Sequence, residues 1–219
     1  MSYNLLGLRD RVRAKIKDSS YPSSNIDGFI NDAQIEIADL HTWKFFEKVV
    51  SGTLTIGEYT YEQQTDHQLT TKLVLINPSS TTSNWDITKH YKTSQKFFDI
   101  YPAPEYNNNL QPCYWTEYGG QIYFQSPVDL AYILKQFYQK VPTELTADAD
   151  VPELPINFRE ALVLGATYRC EEERENHDIA AAIQNRFNDR ISDLMLKHAN
   201  TTLAGPDTVV MPGIVREDY

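Results

Sequence analysis

Cysteine is nearly missing from this sequence: Cys113 and Cys170 are the only two in 219 residues, far apart and never as C-x-x-C. That excludes a disulfide scaffold, a zinc knuckle and a thioredoxin-type redox pair, and leaves two reduced thiols. No stretch approaches the roughly 18 to 20 apolar residues that span a bilayer, so no membrane partner is expected. The opening MSYNLLGLRDRVRAKIK is basic but lacks the apolar region of a signal peptide. A reducing, aqueous compartment is therefore expected. The phosphate-binding P-loop, G-x-G-x-x-G, H-E-x-x-H and G-x-S-x-G are all missing. His41, His67, His90, His177 and His198 are scattered, with no two at metal-ligand spacing. Neither a cofactor nor a metal is expected.

Carboxylates are plentiful, but their pattern is not that of a catalytic pair. ADADVPE, with Asp148, Asp150 and Glu153, loosely resembles a calcium loop but lacks its glycine and its distal bidentate glutamate. It reads as a solvated acidic linker. A hydrolase built on Asp148 and Asp150 would need an oriented base, a nucleophile or an oxyanion donor, and none can be named. The chain is not expected to be an enzyme.

Positive charge is also in short supply. Thirty acidic residues against twenty basic ones give a formal net charge of −10. The average surface repels phosphates, which argues against a basic groove that grips nucleic acid. The same sign suits a wall that DNA slides past without adhering.

What is present reads as helix, helix, many strands, helix, helix and arm. Leu5, Leu8, Val12 and Ile16 fall at helical spacing, and DSSYP ends that helix. A second helix is expected from Ser24, with Ser24 and Asp27 in a capping-box relation. Ile26, Phe29, Ile30, Ala33, Ile37 and Leu40 form its apolar stripe, which runs to about His41 or Trp43. From Phe45 to about Val141 the texture turns to Thr, Tyr, Val, Ile and Phe with frequent turn residues. VVSGTLTIGEYTYEQ reads as two strands turning near Gly52 and Gly57, and KLVLINPSS as a strand ending at Asn77-Pro78. NWDITKHY, KTSQKFFDIYP and CYWTEYGGQIYFQSP continue the β-prone text, the last with a Gly119-Gly120 hairpin turn. AYILKQFYQKV is a strand with Tyr132, Leu134, Gln136 and Tyr138 on one face. After the linker, Phe158, Leu162 and Ala166 follow a helical line with small Ala161 and Gly165 beside it. EEERENHD reads as the exposed end of that helix plus a turn. Ile179, Ile183, Phe187, Ile191, Leu194 and His198 mark a last helix ending near Asn200.

The expected fold class is α+β. Helix pairs from the two ends, residues 1–44 and 152–200, close as a four-helix bundle. An antiparallel β-sandwich or small barrel with its linker, residues 45–151, is inserted between them, and an extended C-terminal arm fills residues 201–219. Fourteen tyrosines and three tryptophans concentrate in the β segment, where sheet core and cross-strand pairing account for most of them.

Two sets of residues point to surfaces for other chains. The arm TTLAGPDTVVMPGIVREDY carries Val209, Val210, Met211, Ile214, Val215 and Tyr219, yet Gly205, Pro206, Pro212 and Gly213 forbid a useful helix. A tail with no partner would be more polar. Arg9, Arg11 and Arg13, with Lys15 and Lys17, make a basic helix face in an acidic chain. Glu171, Glu172 and Glu173 form an acidic run. Both are ordinary solvated faces on the plainest reading; as a functional reading, they are inter-subunit candidates that pair between neighbouring copies.

INDAQIEIADLHTWKF (Ile30 to Phe45), CYWTEYGGQIYFQSPVD (Cys113 to Asp129) and VPTELTADADVPELPINFREALVLGATYRC (Val141 to Cys170) occur in that order. In order and spacing the chain resembles the head-to-tail connector, or adaptor, proteins of tailed bacteriophages. The resemblance covers most of the chain. It implies a structural virion protein, made in the host bacterial cytoplasm and placed at the portal vertex. In such adaptors helical domains build a homo-oligomeric, typically dodecameric ring, arms dock on the portal protein, β domains face the tail or nozzle protein, and DNA passes non-specifically through the lumen. Two other readings are a tail-completion or tail-tube subunit, and a carbohydrate- or receptor-binding module using the aromatic β domain.

Overall fold

A computed structural model of the chain describes residues 3–202, apart from the side chains of residues 81–83 and 199–202. Its five α-helices are α1 (Leu5–Ile16), α2 (Ser23–Leu40), α3 (Ser94–Ile100), α4 (Arg159–Glu173) and α5 (His177–Thr202). Its seven strands are β1 (Glu47–Thr53), β2 (Thr60–Glu62), β3 (His67–Asn77), β4 (Ser80–Asp86), β5 (Trp115–Tyr118), β6 (Gln121–Phe124) and β7 (Ile133–Lys140). The chain divides into two compact units. One holds the residues up to His41 and those from Thr143 onward; the other is Thr42–Pro142.

In the helical unit, α1 starts where the Asn4 side chain accepts a hydrogen bond from the Gly7 N–H at 3.0 Å. It stops at Lys17, whose backbone is left-handed with φ 55°. The stripe Leu5, Leu8, Val12 and Ile16 is buried, as its spacing predicts. Helix α2 buries Ile26, Ile30, Ala33 and Ile37. It begins at Ser23 behind Pro22 with no side-chain cap, which corrects the expected capping box: Asp27 accepts from Arg9 of α1 instead.

Helix α4 is the one that α1, α2 and α5 all contact, and Ala161 through Tyr168 are buried without interruption. Gly165 sets the spacing. A Cβ there would lie 2.8 Å from the Ala33 Cβ of α2 and 3.2 Å from Phe187 Cε2 of α5. On α5 the residues that turn inward are Ala180, Phe187, Ile191 and Leu194.

The acidic linker packs with these helices. Buried Asn31 of α2 donates to the Leu145 carbonyl at 3.0 Å and accepts from the Leu145 N–H at 2.9 Å. The first N–H groups of α1, which have no acceptor within their own helix, find them here: Leu5 donates to the Asp150 carbonyl at 2.8 Å and Leu6 to that of Asp148 at 3.2 Å.

The β unit holds two antiparallel sheets, ordered β1-β7-β3-β4 and β2-β6-β5. Neither closes into a barrel, which removes that half of the expectation. Leu73, Leu75 and Leu134 of the first sheet and Trp115, Ile122 and Phe124 of the second share one apolar core. Gly119 and Gly120, at φ 59° and 76°, make the β5–β6 turn, where positive φ favours glycine. Two local readings are corrected. Gly52 lies inside β1 rather than in a turn, with the Tyr61 ring occupying the space its side chain would need. KTSQKFFDIYP contributes a helix, α3, which anchors itself through buried Phe97.

Candidate functional surfaces

The expected inter-subunit charges divide once their partners are known. Arg9 is 8% exposed. It donates from Nε to Asp27 Oδ1 at 2.8 Å and from Nη2 to Oδ2 at 2.7 Å, and its Nη1 lies 2.9 Å from Asp148 Oδ1. Arg13 donates to the Tyr21 carbonyl at 3.0 Å and to Ser23 Oγ at 2.7 Å, tying the α1–α2 turn. Glu171, expected on an exposed helix end, is buried instead. It accepts from Arg174 Nη1 at 3.1 Å and Asn176 Nδ2 at 2.6 Å. Glu173 accepts from the Tyr21 hydroxyl and from Asn25 Nδ2. These four residues are bound within their own subunit.

Arg11 and Glu172 are different. Glu172 is exposed. Arg11 lines a groove of about 440 Å³ between α1 and α4, together with Ala14, Lys15, Arg159, Glu160 and Val163. Its Nε is buried there without a hydrogen-bond acceptor. A shallower hollow follows the solvent side of α2, along Asp32, Ile35, Glu36, Asp39 and Leu40. Ile35 and Leu40 are 45% and 49% exposed, and Glu36 accepts from Arg169 Nη2 at 2.7 Å. The apolar arm residues Val209, Val210, Met211, Ile214, Val215 and Tyr219 lie outside the described residues.

The carboxylates of the linker have structural work. Asp148 pairs with Arg9, and Asp150 Oδ2 accepts from the N–H groups of Thr146 and Ala147 at 2.8 and 2.7 Å. Those backbone hydrogen bonds hold the Asp150 carboxyl below the usual range. Among the described residues no group of three or more His, Cys, Asp and Glu could hold a metal ion. Among the same residues no helix is long and apolar enough to cross a membrane.

Sequence reasoning missed two features of the β unit. The first is a polar network between the sheets. His67 Nε2 on β3 lies 2.9 Å from Thr70 Oγ1 and 3.6 Å from Glu117 Oε1 on β5. Gln136 Nε2 donates to the same Thr70 oxygen at 2.7 Å, and the Thr70 hydroxyl donates to Glu117. Burial pushes the His67 imidazole below its ordinary value, against the pull of Glu117 and Asp66. Its members come from distant strands, so no local spacing announces them. The second is a cleft of about 770 Å³ lined by Tyr101, Tyr106, Leu110, Cys113 and Tyr114 among others, none of them charged. At its wall His90 Nδ1 lies 3.0 Å from Cys113 Sγ.

The order of elements and the arrangement of surfaces can be set against known proteins. The family model described as SU10 adaptor protein matches residues 3–210. The chain belongs to the SU10 adaptor protein family. The match takes in both helix pairs, the whole β unit and the arm as far as Val210. Among curated proteins nothing matches. This is a phage adaptor, a structural protein whose family implies contacts with other virion proteins. A structural adaptor family is not normally one of enzymes, and the roles just described for Asp148 and Asp150 are structural.

Proposed function

We propose that this adaptor assembles as a dodecameric ring that joins the portal to the tail or nozzle protein and leaves an open path for DNA. The family match over residues 3–210 carries this reading. The helical unit, the residues up to His41 together with the linker and helices from Thr143, builds the ring; the β unit, Thr42–Pro142, faces the tail; the arm after Thr202 takes the portal. The net charge of −10 supports a lumen that DNA slides through. The uncharged aromatic cleft offers the tail side a surface of the composition that protein partners favour.

The arm is energetically marginal by itself. Burying its five aliphatic side chains stabilises docking by roughly 8 to 15 kcal/mol. Ordering about ten residues costs on the order of 10 to 20 kcal/mol. Many arms on one ring raise the effective concentration enough to hold the sum.

Deletion of Gly205–Tyr219 tests the reading. The truncated protein should keep the circular dichroism and melting temperature of the full chain and be missing from the portal vertex of particles. Normal incorporation of the truncated adaptor would overturn it.

A further inference from the structure

The four-stranded sheet has two open edges. Among the described residues, β1 pairs with β7 alone and β4 with β3 alone. Each of these edge strands is seven residues long. Every step of β1-β7-β3-β4 is antiparallel, so β1 and β4 run in opposite directions. The ladders fix which backbone groups point outward. The Leu54 N–H donates to the Tyr132 carbonyl at 2.8 Å, in the β1–β7 register. The even-numbered residues of β1 therefore turn their N–H and C=O groups toward β7, and Glu47, Val49, Ser51 and Thr53 turn theirs to the open side. On β4 the phase is set by the Ile87 N–H, which donates to the Leu73 carbonyl at 3.0 Å. Trp85 thus bonds toward β3, and Asn84 and Asp86 point their backbone groups outward. All of these outward residues are exposed.

The two edges fit each other. Buried Leu134 and Leu75 lie opposite Gly52 and Trp85, so these positions share the core face of the sheet. The outward residues of both edge strands occupy the opposite face of the pleat. An even number of antiparallel strands gives edges that agree in direction and in pleat. The three-stranded sheet lacks this property: β2 and β5 run parallel, are three and four residues long, and β5 is already bordered by the Tyr91–Trp115 bridge. Edges that stay free are blunted by proline, bulges or charge. β1 instead keeps an unbroken register from Glu47 to Thr53 and offers uncharged Val49, Ser51 and Thr53. Charge agrees as well. Glu47 opens β1, and Lys89 follows the end of β4 by three residues. Both are exposed, and neither is in an ion pair among the described residues. Antiparallel pairing sets the start of β1 beside the end of β4.

We propose that the β1 edge of one copy pairs antiparallel with the β4 edge of a second copy, so that the four-stranded sheets continue from subunit to subunit. This rests on the ring reading for its place in the virion and adds a backbone seam to it. Val49 and Ser51 meet Asn84 and Asp86 across the seam, main chain to main chain, and Glu47 approaches Lys89. Because the joined edges differ, the contact is head-to-tail: each added copy leaves one edge of each kind free, and the series ends only by closing on itself. Closure also removes the open edges that would otherwise recruit stray strands.

Three measurements test the seam, with variants supplied in trans to a phage lacking its own adaptor. Residue-resolved amide exchange compares the free adaptor with particles. The Val49 and Ser51 amides should exchange at least about tenfold more slowly in particles, while Val50 and Gly52 are slow in both. Val49→Pro removes an outward donor where an edge strand tolerates proline. It should melt near the wild type and enter particles about tenfold less. Asn84→Cys combined with Val49→Cys or with Ser51→Cys supplies the third. Within one chain β1 and β4 stand three strand spacings apart, roughly 14 Å, beyond the ~7 Å Cα separation that a disulfide spans. Mild oxidation of particles should therefore give a ladder of linked copies with at least one of the two pairs, and none with the single variants. Equal exchange in both states, normal incorporation of Val49→Pro, or no ladder from either pair would overturn the proposal; protection without a ladder would assign the edge to another protein. Should Val49→Pro fail to fold, exchange and cross-linking decide. A ladder with protection, in an adaptor located away from the portal vertex, would instead sink the functional reading and leave the seam standing.

Discussion

Arg9 and Asp27 meet through two parallel hydrogen bonds, Nε to Oδ1 at 2.8 Å and Nη2 to Oδ2 at 2.7 Å, and so fasten α1 to α2. Arg9 is nearly buried while the Asp27 side chain is 23% exposed. Arg9→Ala leaves a carboxylate facing a vacated site and should cost about 2 to 4 kcal/mol. Replacing both partners with apolar residues, Arg9→Met with Asp27→Leu, should cost far less, because no half-buried charge remains without a partner. Urea denaturation of the two single variants and the double variant gives the coupling directly; additive losses would contradict it.

Glycine to alanine should have opposite signs at two helical sites. At Gly165 the new methyl would press on Ala33 Cβ and on Phe187. The Ala33 Cβ is attached directly to backbone and has no rotamer to escape into. A loss of about 1 to 3 kcal/mol is expected. At Gly28 nothing lies within 4 Å of the new Cβ, and the same change should stabilise α2 by about 0.5 to 1 kcal/mol. Melting temperatures of the two variants, moving in opposite directions from the wild type, check this.

Acid should weaken the β unit through His67. Its folded-state pKa lies below its ordinary value because it is buried, so the unfolded chain takes up the proton first. The stability is fully present above the unfolded value of about 6.5 and is lost as pH falls through the folded value. Melting temperature should drop between pH 8 and pH 5, and His67→Gln should flatten the drop. His41, also held low by burial and by His198, keeps part of the slope. An identical slope in His67→Gln would rule the assignment out.

The two thiols should react differently. Burial pushes the Cys170 thiol up to about 12, so thiolate at neutral pH is scarce there. Cys113 is half-buried beside His90 Nδ1 at 3.0 Å. Iodoacetamide should label Cys113 alone in the native protein and both cysteines in denaturant. Peptide mass mapping reads the outcome, and native labelling of Cys170 would refute it.

Long amphipathic stripes were the readable part of this sequence. Ile26, Ile30, Ala33 and Ile37 repeat over enough turns of α2 to leave one buried face, and Tyr132, Leu134, Gln136 and Tyr138 alternate cleanly along β7 and the residue before it. The seven residues of α3 are too few for a helical period to stand out from aromatic, β-prone text. Glu171 read as part of a solvated run, because charge alone does not reveal that Arg174 and Asn176 fold back on it. Arg9 and Asp27 belong to different helices, and the pairing of His67 with Glu117 crosses between sheets. Local spacing carries no record of such contacts. The groove that Arg11 lines exists only once α1 and α4 are packed.

The way the linker is moored has an evolutionary consequence. The chain leaves the helical unit after His41 and re-enters it at Thr143. From there Thr143 Oγ1 grips Glu153 at 2.7 Å, Leu145 is pinned by Asn31, and the Asp148 and Asp150 carbonyls cap α1. These contacts all lie downstream of that re-entry point. On the function proposed above, an exchange of the intervening cassette for one that suits a different tail would leave the socket that receives it unchanged.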